Sequence, residues 1–218
     1  MLPWEPLAEA GTPEGDRLRL MRRGSEYSIR LTGGNELMNS RLSGSEEALA
    51  TLAAEHLGEA PRVLIGGLGM GFTLRAMQAA RPGARITVAE IVPELVGWAR
   101  AEMAEVFGDS LTGVEIAVAD VAELIARGGW DAILLDVDNG PDGLTRPGND
   151  GLYSDAGLRA ARRALRPGGV LTVWSAHPAR GFAGRMERAG FTVREVPVRA
   201  GRGRGARHVV WVGRSDGR

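Results

Sequence analysis

The sequence predicts an α/β fold: a doubly wound, mostly parallel sheet that ends in an antiparallel hairpin and is preceded by a small N-terminal β appendage. Three observations carry this expectation. The apolar run Val63-Leu64-Ile65 passes into the turn Gly66-Gly67-Leu68-Gly69-Met70-Gly71, and Phe72-Thr73-Leu74-Arg75-Ala76-Met77 then reads as the start of a helix. From Pro61 onward, strand-like and helix-like segments alternate, the pattern of a parallel sheet covered by helices on both faces. The last two strand-like runs, 191–198 and 206–212, are joined by a short glycine-arginine segment whose length suits a hairpin.

Residues 1–15 are rich in Pro, Gly and Glu and are expected to form an irregular lead-in. Arg17-Leu18-Arg19-Leu20-Met21-Arg22 and Tyr27-Ser28-Ile29-Arg30-Leu31 alternate in polarity around Gly24-Ser25, which predicts a hairpin. A second turn, Gly33-Gly34-Asn35, leads into Glu36-Leu37-Met38-Asn39-Ser40, so residues 1–44 form the appendage and 45–218 the main domain. Residues 45–57 predict a helix with Ser45 as a possible N-cap and Leu49, Leu52, Ala53 and Leu57 on one face. Strands are then expected near 62–66, 85–90, 114–118, 131–137, 169–175 and 191–198. Helices are expected near 71–81, 93–106, 120–127, 155–166 and 180–189, with Pro167-Gly168-Gly169 stopping the fourth of them.

Composition narrows the functional classes. A chain of 218 residues, 44% hydrophobic, can bury one sizeable core. Basic and acidic residues balance at 27 each, so no global charge favours nucleic acid or a membrane surface. The absence of cysteine excludes disulfides, thiolate nucleophiles and Cys-ligated zinc. His56, His177 and His208 are too scattered to suggest a metal site, and none is expected. The first residues lack the basic and apolar regions of a signal peptide, and no apolar stretch is long enough to cross a membrane. A cytoplasmic location is the resulting expectation. Arg199, Arg202, Arg204 and Arg207 gather near the last turn, but without interleaved aromatics they read as a solvated hairpin tip rather than an RNA site.

The strand–glycine turn–helix unit points to a nucleotide, because backbone N–H groups and the positive end of a helix dipole face the ligand there. Gly67, Gly69 and Gly71 make G-x-G-x-G, and Phe72 stands where the dinucleotide fingerprint wants its third glycine. That spacing argues against NAD and towards S-adenosylmethionine (AdoMet) or a close relative. Glu90 ends the next apolar run, about 20 residues on, where a carboxylate can accept both hydroxyl hydrogen bonds of a ribose. Asp120 follows the third predicted strand and reads equally as the N-cap of the next helix. Asp136 and Asp138 follow the fourth, at the crevice end of the sheet. Trp174, at the end of the fifth strand, reads as either pocket wall or core, and His177 beyond it as pocket wall or surface loop.

Taken together, these stretches resemble the AdoMet-dependent methyltransferase fold, and most of all the spermidine synthases and their relatives. The resemblance covers roughly residues 16–198 and is carried by Gly66 to Gly71, Val88-Ala89-Glu90-Ile91-Val92, Asp120-Val121, Leu135-Asp136-Val137-Asp138-Asn139-Gly140-Pro141, and Leu152-Tyr153-Ser154 with Leu165-Arg166-Pro167-Gly168-Gly169. It implies that Gly66, Gly67, Gly69 and Gly71 lie under the amino-acid or aminopropyl end of the cofactor. Glu90, followed by Ile91, would bind the ribose, and Asp120 the adenine amino group, with Val121 giving the next backbone contact. Asp136 matches the family's proton-accepting aspartate, with Asp138 and Asn139 assisting. Asn39, Glu46, Glu47, Tyr153 and Trp174 fall on the acceptor side, and the resemblance also implies a homodimer.

Three positions depart from that family. Gly69 stands where polyamine synthases carry an aspartate inside the glycine turn, Asn139 where they carry a second aspartate after the proton acceptor, and Glu46, beside Glu47, where they carry a histidine. The first two changes remove carboxylates that would grip a diamine, each worth roughly 1.5–3 kcal/mol as a charged hydrogen bond. An aspartate at 69 would also repel the carboxylate of AdoMet, which glycine does not. The expectation is therefore an AdoMet-dependent methyltransferase on a spermidine synthase-like scaffold, acting on a small amine. Aminopropyl transfer from decarboxylated AdoMet is the first alternative, and a non-catalytic nucleoside-binding or dimerisation protein the second.

Overall fold

A computed structural model describes residues 2–13, 15–137, 140–141, 150–201 and 204–215. The chain opens with four antiparallel strands, β1 (Glu5–Gly11), β2 (Arg17–Arg23), β3 (Glu26–Leu31) and β4 (Glu36–Asn39), paired in sequence order. The lead-in expected to be irregular thus contains a strand. Local pattern hides it, since only Ala10 of its residues is buried. Its ladder to β2 slips between Pro6 and Ala8, and a proline is tolerated there because β1 is an edge strand.

Helix α1 (Gly44–Ala54) follows and buries Leu49, Ala50, Ala53 and Ala54. Ser45 is not its cap. Ser43 holds that position, and Ser45 lies wholly buried in the first turn.

The main sheet then builds through β5 (Arg62–Gly66), α2 (Phe72–Ala80), β6 (Arg85–Glu90), α3 (Pro93–Arg100), α4 (Ala104–Phe107), β7 (Glu115–Val118), α5 (Val121–Arg127) and β8 (Trp130–Leu135). It is completed by α6 (Asp150–Tyr153), α7 (Asp155–Ala164), β9 (Leu165–Ser175), α8 (Phe182–Arg188), β10 (Phe191–Gly201) and β11 (Arg204–Ser215). Its seven strands run in the order β10-β11-β9-β8-β5-β6-β7, with β11 antiparallel to both neighbours and the strands from β9 to β7 parallel. The expected doubly wound sheet with a terminal antiparallel hairpin is present.

Two boundaries differ for physical reasons. The helix expected over 93–106 breaks after Arg100, and the chain re-enters as α4 and a 3-10 turn over Gly108–Leu111. The break turns Met103 and Phe107 into the core, where both are buried. Strand β9 begins at Leu165 rather than after the glycines. Leu165 pairs with Trp130 and Val170 with Ala132, so Arg166 to Gly169 form an outward bulge, with Gly168 at φ +80°.

Strand alternation divides the core. Val63 and Ile65 face one side with Leu20, Tyr27, Ile29, Leu49, Met77 and Trp98, so the N-terminal sheet and α1 share a continuous core with the main sheet. Leu64 faces the other side with Trp130, Ile133, Leu158, Phe182 and Trp211. Trp4 instead packs against the guanidinium groups of Arg23 and Arg30, each 4.6 Å from its ring centre. Among the described residues no helix is long and apolar enough to cross a membrane.

Truncating Leu134, which is wholly buried in the middle of the sheet, removes its contacts and leaves a cavity. Leu134→Ala should cost about 2–5 kcal/mol in urea denaturation. Val118→Thr, at an exposed position on edge strand β7, should stay within about 0.5 kcal/mol.

Candidate functional site

Strand order reverses between β5 and β8, which places a crevice beyond the carboxyl ends of β5, β6 and β8. Two backbone bonds hold those ends together: Gly67 N–H donates to Ala89 O at 2.8 Å, and Asp136 N–H donates to Gly66 O at 2.9 Å. Gly67 sits at φ +91°, and any Cβ there would collide with the carbonyl oxygen of Asp136. Gly69, at φ +49°, is different. A Cβ at that position would meet nothing nearer than Met38 Sδ at 3.7 Å, so a side chain would project into the crevice.

Gly67 and Gly69 line the pocket together with Leu68, Met70, Glu90, Ile91, Asp120, Val121, Asp136 and Trp174. Gly66 and Gly71 stand behind that wall. A Cβ on Gly66 would lie 2.9 Å from Val121 Cγ2, and one on Gly71 would lie 2.5 Å from the Phe107 ring.

Glu90 ends β6 with only 6% of its surface exposed, yet its carboxylate faces the pocket. Leu68 N–H donates to its Oε2 at 3.0 Å and Val92 N–H to its Oε1 at 2.9 Å. The two donors, one on each oxygen, hold the carboxylate in one orientation. Asp120 does cap α5, accepting from Ala122 N–H through Oδ1 at 2.8 Å, and it lines the pocket as well. The two sequence readings of Asp120 are therefore compatible.

Asp136, at the end of β8, accepts from Thr73 Oγ1 at 2.6 Å through Oδ2. Thr73 is buried in the first turn of α2, and its hydroxyl also lies 3.3 Å from the carbonyl oxygen of Glu46. Burial, reinforced by the negative charge of Glu46, pushes the Asp136 carboxyl up to about 7, against a smaller opposing effect of the Thr73 bond. Burial also raises Glu46 above the ordinary carboxylate range, and the charge of Glu47 adds to it. Two acids thus line the pocket, each held above the ordinary carboxylate range.

The far wall comes from the N-terminal sheet, which contributes Thr12, Asp16, Leu18, Leu31, Leu37, Met38 and Asn39. Asn39 lines the pocket, but its amide is engaged with its own turn, donating to Glu36 and accepting from the N–H groups of Arg41 and Leu42. Two other residues on the expected acceptor side do not line it. Glu47 accepts from Ser43 Oγ at 2.8 Å, and Tyr153 is buried with its hydroxyl donating to Val137 O at 3.1 Å, bracing the segment after Asp136. Trp174 does line the pocket, and its indole N–H is buried with no hydrogen-bond partner among the described residues. Asp138 and Asn139, like Arg202, lie outside the described residues.

Sequence reasoning missed Thr73 and the apolar wall of Leu18, Leu31, Leu37 and Met38. Thr73 had a weak signal, since it opens the helix directly after the glycine turn. The wall had only the neighbouring Asn39 beside Leu37 and Met38, and nothing near Leu18 or Leu31.

No protein-family model matches the chain, and no curated protein does. Its fold matches solved structures. The spermidine synthase of Thermotoga maritima superposes with a TM-score of 0.76 over 98% of this chain and 73% of its own, at 16% identity. A spermidine synthase in complex with the transition state analogue AdoDATO gives 0.76 over the same shares at 17% identity. A probable spermidine synthase from Corynebacterium glutamicum ATCC 13032 gives 0.62 over 96% and 79% at 20% identity. The chain has a spermidine synthase-like fold.

The raised Asp136 carboxyl makes stability depend on pH. The folded state holds a proton that the unfolded chain releases, so stability falls as pH rises from about 4 towards about 7. Asp136→Asn removes that group and relieves Glu46 of its neighbour. Urea midpoints measured at both ends of this window should differ less for Asp136→Asn than for the wild type.

Proposed function

We propose that this protein is an AdoMet-dependent methyltransferase acting on a small amine. The observation that carries the reading is the open space at Gly69, in a glycine turn that shares one pocket with Glu90, Asp120 and Asp136. Glu90 is a buried acid lining the pocket at the end of β6, a position that suits a vicinal diol. Asp120 keeps its second oxygen for an exocyclic amine, with Ile91 and Val121 flanking the base. Gly67 and Gly69 leave room for an amino-acid tail, where an acidic side chain would repel a carboxylate. These residues fit AdoMet, which when bound supplies a methyl group already activated by its sulfonium.

The remaining residues act on the nucleophile. Asp136, held by Thr73, orients the amine and accepts its proton, a role that suits a carboxyl poised near neutrality. Glu46 adds a second acid beside it, so an acceptor bearing positive charge is favoured over a neutral one. The rest of the rate comes from positioning.

A second reading has one observation in its favour. Glu46 places an acid in the acceptor pocket, offsetting in part the carboxylates absent at positions 69 and 139, and so leaves room for aminopropyl transfer to an amine.

Calorimetry with AdoMet, decarboxylated AdoMet and methylthioadenosine separates these readings, followed by methyl-labelled AdoMet with a panel of small amines. The expected outcome is AdoMet binding at least as tight as that of the decarboxylated form, label transfer to an amine, and little spermidine from putrescine. Efficient spermidine synthesis would overturn the methyltransferase reading, and absence of any nucleoside binding would defeat both.

Gly69→Asp gives a sharper contrast. It should weaken AdoMet at least about tenfold, a loss of about 1.4 kcal/mol, while changing the decarboxylated form much less. Asp136→Asn should leave methylthioadenosine affinity within about twofold, less than 0.5 kcal/mol, while lowering transfer.

A further inference from the structure

Behind the pocket, polar side chains from α1 and β11 form a continuous line. Ser45 is wholly buried, and its hydroxyl donates to Glu46 Oε2 at 2.7 Å. Ser45 Oγ also lies 3.0 Å from Nδ1 of His208 on β11. Glu46 lines the pocket, whereas His208 is half-buried. The approach of α1 to the hairpin depends on Gly44, where a Cβ would stand 2.9 Å from the carbonyl oxygen of Arg199. Trp174, in the pocket wall, packs edge-on against the His208 ring at 5.0 Å.

A serine hydroxyl has one hydrogen, so the two contacts of Ser45 are linked. While Ser45 donates to an ionised Glu46, His208 must carry its hydrogen on Nδ1 and donate to Ser45 Oγ. Once Glu46 is protonated and donates to Ser45, the hydroxyl turns to His208 Nδ1, and the ring hydrogen resides on Nε2.

We propose that Glu46, Ser45 and His208 form a proton relay leading from the pocket to the protein surface. A proton on Glu46 Oε2 passes to Ser45 Oγ as the Ser45 hydrogen passes to His208 Nδ1. The neutral imidazole becomes imidazolium and then releases its Nε2 hydrogen to solvent water. One proton leaves the pocket, and Ser45 ends with one hydrogen as it began.

The charged and titratable groups around this line are Asp136 at the end of β8, Glu47 on α1, Arg75 on α2, on which the charge of Glu47 acts, and exposed His177 beyond β9. Burial raises Glu46 and lowers His208, the latter helped by His177, which brings the two ends of the relay closer in proton affinity. Use of the relay to discharge the proton of an amine during transfer rests on the proposed function. Its existence does not.

The test is a pH titration of the imidazole nitrogens by 15N NMR on the full chain without ligand, with His56 and His177 as internal references. In the wild type, His208 Nδ1 should show its own inflection and a second one where the pocket carboxyls titrate. Ser45→Ala and Glu46→Gln should each abolish the second inflection, and Ser45→Thr, which keeps the hydroxyl, should retain it. Should Ser45→Ala fail to fold, the contrast between Glu46→Gln and Ser45→Thr carries the same decision. A single His208 inflection in the wild type, or a second one unchanged by removing the hydroxyl, would overturn the relay. Either result leaves the nucleoside-binding reading intact, and failed nucleoside binding would leave the relay intact.

Discussion

The buried carboxylate of Glu90 accepts from the backbone N–H of Leu68 in the glycine turn and from that of Val92 at the start of the next connection. The rest of the site depends on this clamp. Together with the bonds from Gly67 to Ala89 and from Asp136 to Gly66, it fixes three strand ends to one another. Losing the carboxylate would leave two buried donors unpaired, each costing about 1–3 kcal/mol. Glu90 therefore braces the glycine turn while lining the pocket.

The opposite side of the pocket has a different origin. The N-terminal sheet shares its core with the main sheet through Leu20, Ile29 and Leu49, and this packing delivers Met38 to face Gly69. Helix α1 crosses the β10–β11 hairpin and brings Glu46 to Asp136. Burial raises the proton affinity of both acids, and the charge of Glu46 raises that of Asp136 further. The result is a pocket in which the Asp136 carboxyl is pushed up to about 7.

Fold and chemistry speak separately here. Solved spermidine synthases of 16–20% identity share the architecture, and architecture of this kind hosts many reactions. The reaction follows from particular side chains. Gly69 leaves open space in the crevice, and Asp136 and Glu46 place two acids on the same pocket.

Much of this was legible in the sequence because the signals are local. The G-x-G-x-G turn after an apolar run, Glu90 at the end of the next strand, and the alternation from Pro61 onward together determined the parallel sheet and the residues at its crevice. Short-range rules failed where burial came from distant partners. β1 escaped notice because only Ala10 of its residues is buried, and the helix after Pro93 broke to bury Met103 and Phe107. Ser45 looked like a cap but became the buried link between Glu46 and His208, 163 residues apart from its imidazole partner. Tyr153 and Glu47 were expected to face the acceptor, yet Tyr153 turns its hydroxyl to the Val137 carbonyl and Glu47 accepts from Ser43. A sequence specifies which residues can bond and which faces are apolar. Which carboxylate meets which hydroxyl, and how far its proton affinity shifts, depends on desolvation and charge that arise only when remote elements pack together.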